Sequence, residues 1–191
     1  MNRKKSGFTI LELLITLAVL SIVLAFAIPS FQSSIEKNSV SASINEFSAA
    51  LRLARTEAVK RGRLVVVCPS NDQATCSGIW ANGWLVFEDT NASSTYTAAA
   101  DELIQVHGEL GSDNIIEWSD RGSATWDNDS DTLIQYNSRG LITTPSGTFK
   151  ICSRSRNDKW ARSLVVGSVG SLRFGIDGNS DAIFEDESGT N

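Results

Sequence analysis

Glu12 stands four positions after Phe8 and five after Gly7, and it is the only ionisable side chain in an apolar run from residue 8 to residue 28. A carboxylate at that depth in a bilayer costs roughly 2.5–3.5 kcal/mol on insertion scales, so it needs a partner or a function. Cys68, Cys76 and Cys152 form a second group with reactive potential, and an odd count leaves at least one thiol unpaired in the monomer. If the body of the chain lies outside the cytoplasm, Cys68 and Cys76 are the natural disulfide pair, closing the short polar loop PSNDQAT; Cys68 with Cys152 is the competing pairing. Cys152, in the strand-like TFKICS, then reads as a small buried apolar residue.

A third group is basic. Lys150, Arg154, Arg156, Lys159, Arg162 and Arg173 face only Asp158, and Trp160 lies among them, so this stretch has the charge to meet several phosphates and a ring to stack on a base. A solvated strand-and-loop face is the plainer reading of the same residues. Asp127, Asp129 and Asp131 alternate like the start of a calcium loop, but the required glycine and terminal glutamate are missing, so a polar hairpin loop is expected. His107 is the single histidine, with no nucleophile, phosphate-loop or zinc spacing around it. No enzymatic activity, metal or cofactor is expected.

What must position Glu12 is a helix. The 21 residues from 8 to 28 would span about 31 Å at about 1.5 Å each, matching a hydrocarbon core of about 30 Å. Arg3, Lys4 and Lys5 precede the run and stay cytoplasmic by the positive-inside rule, which sends residue 29 onward across the membrane. A secretory signal peptide would have the same start, with Ala25-Phe26-Ala27 as its cleavage site, but this run is longer than a usual signal core and a signal gains nothing from Glu12. A plain anchor explains the length and leaves the carboxylate unexplained.

Pro29 follows, where it can bend or locally break one long helix. Beyond it Ile44, Phe47, Leu51, Ala54 and Ala58 step by three and four, predicting an amphipathic helix that covers a sheet and ends at Lys60-Arg61-Gly62. After Gly62 the texture changes to short Val-, Ile- and aromatic-rich runs at 64–68, 84–87, 103–106, 115–118, 133–136, 148–152, 163–166 and 171–174, separated by Gly, Asn, Asp and Ser. The expected fold is α+β: a long N-terminal helix, half membrane-spanning and half amphipathic, packed on a mostly antiparallel β-sheet region. Trp80 and Trp84 flank a turn in which Gly83 can take a positive φ, and packing on the helix is their expected role. The tail 176–191 carries five acids and no base, a composition read as mobile.

Bulk composition agrees. With 41% hydrophobic residues in 191 the chain can bury a core, and a net charge of −5 argues against general attraction to nucleic acid or anionic lipid.

The segment K-K-S-G-F-T-x-x-E with its long apolar continuation resembles the class III leader of type IV pilins and type II secretion pseudopilins. The resemblance implies that residues 1–7 are a leader, that a prepilin peptidase cuts between Gly7 and Phe8 and methylates the new amine of Phe8, and that Glu12 pairs with the N-terminal amine of a neighbouring subunit during assembly. The stretches ARTEAVKRGRLVVVCPS, WANGWLVFEDTN and FKICSRSRNDKWARSLVVGSVGSLRF are similar to the GspH/FimT type of minor pilin or pseudopilin. That likeness implies a type IV pilin fold with segments 8–28 in membrane or filament core, 29–61 as the domain helix and 62–175 as the β-rich domain. It implies other major and minor pilins and an inner-membrane assembly platform as partners, and a single-pass inner-membrane protein with a periplasmic domain that enters a pilus or pseudopilus. A pilus, or its initiating tip complex, is preferred over a type II secretion system. Some members of the family bind DNA through a G-R-x-R sequence near the C-terminus; here Gly170-Ser171-Leu172-Arg173 stands at the matching place, one arginine short.

Overall fold

Phe47 shows how the sequence becomes a fold. In a computed structural model, which describes residues 9–111, 114–121, 126–127, 132–153 and 160–175, its ring meets Trp80, Trp84 and Phe149 edge-on, at centroid distances of 5.3, 5.2 and 4.6 Å. These partners come from three different elements, so one helical side chain ties the layers together.

The helix is α1, Ile10–Arg61. It continues without interruption through position 29, so a locally broken helix, one of the two outcomes a proline permits, is not found. Proline removes one backbone donor, and in a helix this long the hydrogen bonds on either side persist. At the other end Gly62 adopts φ 67° and the Arg63 N–H donates to the Ala58 carbonyl at 3.3 Å, a Schellman closure that satisfies a terminal carbonyl.

The chain divides into two units, Met1–Lys37 and Asn38–Asn191. In the second, Val40, Ile44, Phe47, Leu51, Ala54 and Ala58 form a fully buried stripe on α1. The stripe covers two four-stranded sheets. The first is built from β1 (Leu64–Pro69), β2 (Trp84–Asp89), β3 (Glu102–His107) and β5 (Ile134–Tyr136), in the order β3-β2-β1-β5. The second holds β4 (Asn114–Asp120), β6 (Gly147–Ser153), β7 (Arg162–Val166) and β8 (Leu172–Phe174), in the order β4-β6-β7-β8. Every strand pairing is antiparallel. The eight strands fall on the eight expected runs, with ends that differ by a residue or two.

Burial explains why the strands read differently. In β1 and β2 the sheet is covered on both faces: Val65, Val67, Trp84 and Val86 join the helix-side core, while Val66, Cys68, Leu85 and Phe87 pack under Cys76, Tyr96 and Leu133. A strand buried on both sides needs a continuous apolar run, which LVVVC supplies. In β6, by contrast, Phe149 and Ile151 point to the core while Thr148 and Lys150 turn away, giving the alternation of a one-sided strand.

Candidate assembly site and the basic strands

The first turn of α1 is built from Thr9 and Glu12. The Glu12 N–H donates to Thr9 Oγ1 at 3.2 Å, so Thr9 caps one of the donors that a helix start leaves unpaired, and the Leu13 N–H makes the first regular helical bond to the Thr9 carbonyl at 3.2 Å. Glu12 therefore sits in the first turn, where the helix dipole favours an anion. Downstream, Thr16 Oγ1 donates to the Leu13 carbonyl at 2.8 Å and Ser21 Oγ to the Leu17 carbonyl at 2.7 Å, which satisfies these hydroxyls within the helix. The carboxylate of Glu12 is left as the one ionisable group between residues 10 and 35.

Large apolar side chains are exposed along this whole stretch, from Ile10 at 81% through Phe26 at 78% to Phe31 at 71%. Each gains about 1.5–3 kcal/mol on leaving water, so the segment cannot remain solvated. By length and composition α1 is long and apolar enough to cross a membrane. What such a rod can do chemically is enter lipid or pack beside other apolar rods, carrying one anion that accepts a charge-assisted hydrogen bond. Gly7 and Phe8 lie outside the described residues.

On the opposite face of the first sheet from α1, Cys68 and Cys76 are joined, with Sγ–Sγ 2.05 Å and Cα–Cα 5.5 Å. Asp72 organises the loop they close: its carboxylate accepts from the Ala74 and Thr75 N–H groups at 2.9 and 2.8 Å and from Thr75 Oγ1 at 2.7 Å. Those donors, the Ala74 N–H first, hold its carboxyl well below the usual carboxylate range. Cys152 is the free cysteine and is buried.

Of the basic residues, only the three that are described can be placed on faces of the second sheet. Arg154, Arg156 and Lys159 lie outside the described residues, as do 128–131 of the acidic loop and the tail 176–191. Of the remaining three, Lys150 is opposite Glu117 and Ser163 in register, on the sheet face turned away from α1, and Arg173 is on that same face opposite Val165. Arg162 is opposite Ile151 and therefore on the other, core-facing side. Strand alternation is what divides them: residues an odd number apart along one strand cannot share a face. Lys150 has neighbours of its own on that face. Its side chain is only 20% exposed, its Nζ lies 3.8 Å from Glu117 Oε2, and it sits 5.5 Å above the Trp126 ring.

Gly170 has a structural reason of its own. It takes φ 73°, and a Cβ there would run into the Gly140 carbonyl oxygen. Trp80 and Trp84 are fully buried core residues, and Gly83 between them takes φ 131°. His107 stacks flat on Trp84 with centroids 3.9 Å apart, which accounts for the lone histidine as a packing residue.

One cluster was not singled out from sequence. Arg61, the last residue of α1, donates to Glu57 Oε2 at 2.7 Å and Glu88 Oε2 at 2.9 Å, and its Nη1 lies 3.0 Å from Glu102 Oε2. Glu57 receives Lys60 as well, at 3.1 Å. The hydrogen bond from Arg61, then that from Lys60, holds the Glu57 carboxyl below its ordinary value, and the three carboxylates push Arg61 up. In sequence only the helical spacing from Glu57 to Arg61 hints at this; the β2 and β3 carboxylates arrive through the fold.

Comparison with known proteins agrees with this geometry. The family of type II transport protein GspH matches residues 43–170, and the prokaryotic N-terminal methylation motif matches residues 2–28. The type IV major fimbrial protein FimA of Dichelobacter nodosus is 24% identical over 160 residues, covering 73% of this chain and 96% of FimA. The crystal structure of the type IV minor pilin FimU of Pseudomonas aeruginosa superposes with a TM-score of 0.56 at 19% identity, covering 74% of this chain and 91% of FimU. The minor pseudopilin EpsH of the Vibrio cholerae type 2 secretion system gives a TM-score of 0.50 at 15% identity, covering 74% of this chain and 99% of EpsH. An apolar N-terminal helix that carries a methylation motif, continued into a helix packed on antiparallel sheets and matched across both segments, places this chain in the GspH family of pilin-like proteins.

Proposed function

We propose that the chain is a minor pilin, made as a prepilin, cut between Gly7 and Phe8, methylated on the Phe8 amine and assembled through α1 into a type IV pilus or its initiating tip complex. The observation that carries this reading is the exposed apolar run from Ile10 with a single carboxylate, Glu12, in the first helical turn. Such a run is at home in a bilayer before assembly and among other pilin helices after it. The freed amine of a neighbour's Phe8 is the cation that offsets the burial of Glu12. Before assembly the same helix holds the chain in the inner membrane, with Arg3, Lys4 and Lys5 on the cytoplasmic side and the domain in the periplasm. Partners at successive stages are the prepilin peptidase, the inner-membrane assembly platform and other major and minor pilins. The 24% identity to a type IV fimbrial protein supports a pilus rather than a secretion pseudopilus as the machine.

Mass spectrometry of the chain recovered from sheared filaments tests this. The expected N-terminal peptide begins at a singly methylated Phe8. A mature chain that begins at Ile28 and is free in solution would overturn the reading.

A further inference from the structure

Two turns, one from each sheet, meet α1 beside Arg55 and Val59 and carry the exposed Arg139 and Val169. The turn after β5 places Gly140 at φ 74°, and the turn between β7 and β8 places Gly170 at φ 73°. The turns are stacked so closely that Gly170 has no room for a side chain, and Gly140 is tightly packed against α1. A Cβ at Gly140 would lie 3.1 Å from both Arg55 Nε and Val59 Cγ2, and one at Gly170 would meet Gly140 itself. Arg55 bridges the arrangement, donating from Nη2 to the Val169 carbonyl at 3.1 Å.

Arg52, Arg55 and Val59 follow one another at helical spacing along a single stripe of α1. Arg52 and Arg139 are exposed and Arg55 is half-buried. Val59 and Val169 are 54% and 58% exposed. Among the described residues none of the three arginines makes an ion pair. Of segments 48–59, 137–146 and 163–175, which build the surface, only Glu57 is acidic, and it is already paired with Lys60 and Arg61.

An apolar centre rimmed by unneutralised guanidinium groups has the composition of a protein interface, where arginine is enriched and lysine depleted. On a chain of net charge −5 it is a local exception in sign. The valines need an apolar side chain, which a phosphate backbone lacks.

We infer that this surface receives an acidic segment of a neighbouring pilin subunit, with carboxylates on Arg52, Arg55 and Arg139 flanking an apolar side chain seated on Val59 and Val169. This rests on the filament reading above and names the contact that the domain makes there.

The test is photo-crosslinking in assembled filaments, with p-benzoylphenylalanine in place of Val169 in the full chain and the adduct sequenced by mass spectrometry. The expected adduct joins two subunits through a pilin peptide containing aspartate or glutamate beside an apolar residue, and an adduct to this chain's own residues 176–191 would overturn the inference. Arg139→Glu, whose exposed side chain has no partner among the described residues, lowers the yield roughly tenfold, and reversing the identified acid to lysine restores it. An adduct on a peptide without acids, an adduct on nucleic acid, or a yield unchanged by Arg139→Glu would overturn the inference. Immunoblotting of the sheared filaments separates the two readings: a chain present in filaments with no adduct sinks this contact alone, while a chain that never enters filaments sinks the proposed function and this contact with it.

Discussion

At the residue scale, Glu12 and Tyr136 are both polar groups in apolar company, and they differ in what a substitution would do. Tyr136 is fully buried with its hydroxyl lacking a hydrogen-bond partner among the described residues, and burial pushes the phenol pKa well above its ordinary value. Removing an unsatisfied buried hydroxyl relieves a desolvation penalty of about 1–3 kcal/mol, less whatever packing the oxygen supplied. Tyr136→Phe is therefore expected to leave stability unchanged or raise it by about 1 kcal/mol in chemical denaturation, and a loss of more than that would show that the hydroxyl has a partner. Glu12 was legible in the sequence because a charge inside an apolar run stands out against its neighbours. The unpaired Tyr136 hydroxyl was not legible, because it depends on atoms that only the fold brings near. The same holds for Lys150: its basic type was visible, but its pairing with Glu117 is a register fact about two strands 33 residues apart.

At the element scale, α1 and the eight strands could be read from periodicity, since each buries one face or both and so shows a period of 3.6, a period of 2 or a continuous run. Which strands pair could not be read. The order β3-β2-β1-β5 beside β4-β6-β7-β8 is fixed by packing on α1, and no local signal specifies it. The joint between helix and sheets makes two predictions. Phe47→Ala empties the space among Trp80, Trp84 and Phe149 and should cost about 3–5 kcal/mol, measured by denaturant unfolding of the chain in detergent. A cost below about 1 kcal/mol would mean that the core collapses around the gap. The second concerns Glu57, whose folded-state pKa lies below the ordinary carboxylate value of 4.5 because of Arg61 and Lys60. A depressed carboxylate contributes stability that is present above its unfolded pKa and is lost as pH falls through the folded one. Unfolding followed from pH 5 downward should thus fall less steeply in Glu57→Gln than in the parent chain. Identical slopes would remove Glu57 from the acid response.

At the scale of the whole molecule, the apolar half of α1 has no use for a protein that stays in water, and the domain held by residues 38–191 has its own core and needs nothing from that half to bury its apolar side chains. Association is the physical demand left by this division of labour, and family membership gives it a form: a subunit that polymerises. The basic stretch illustrates the limit of reading function from one dimension. Among the described cations of that stretch, Lys150 and Arg162 lie on opposite sides of a sheet, a division set by register and strand alternation. The meeting of Arg55 with Gly140 and with the Val169 carbonyl, 114 residues away, likewise gave no local signal.

Polymerisation through a buried ion pair is tested most directly by quantifying the chain in sheared filaments for the parent, Glu12→Ala and Glu12→Gln, with the membrane-held precursor measured alongside. Both variants should accumulate in the membrane with the Cys68–Cys76 bond intact and fall by at least about tenfold in the filament fraction, because neither can neutralise an incoming amine. Incorporation of Glu12→Ala at the parental level would contradict that assembly chemistry.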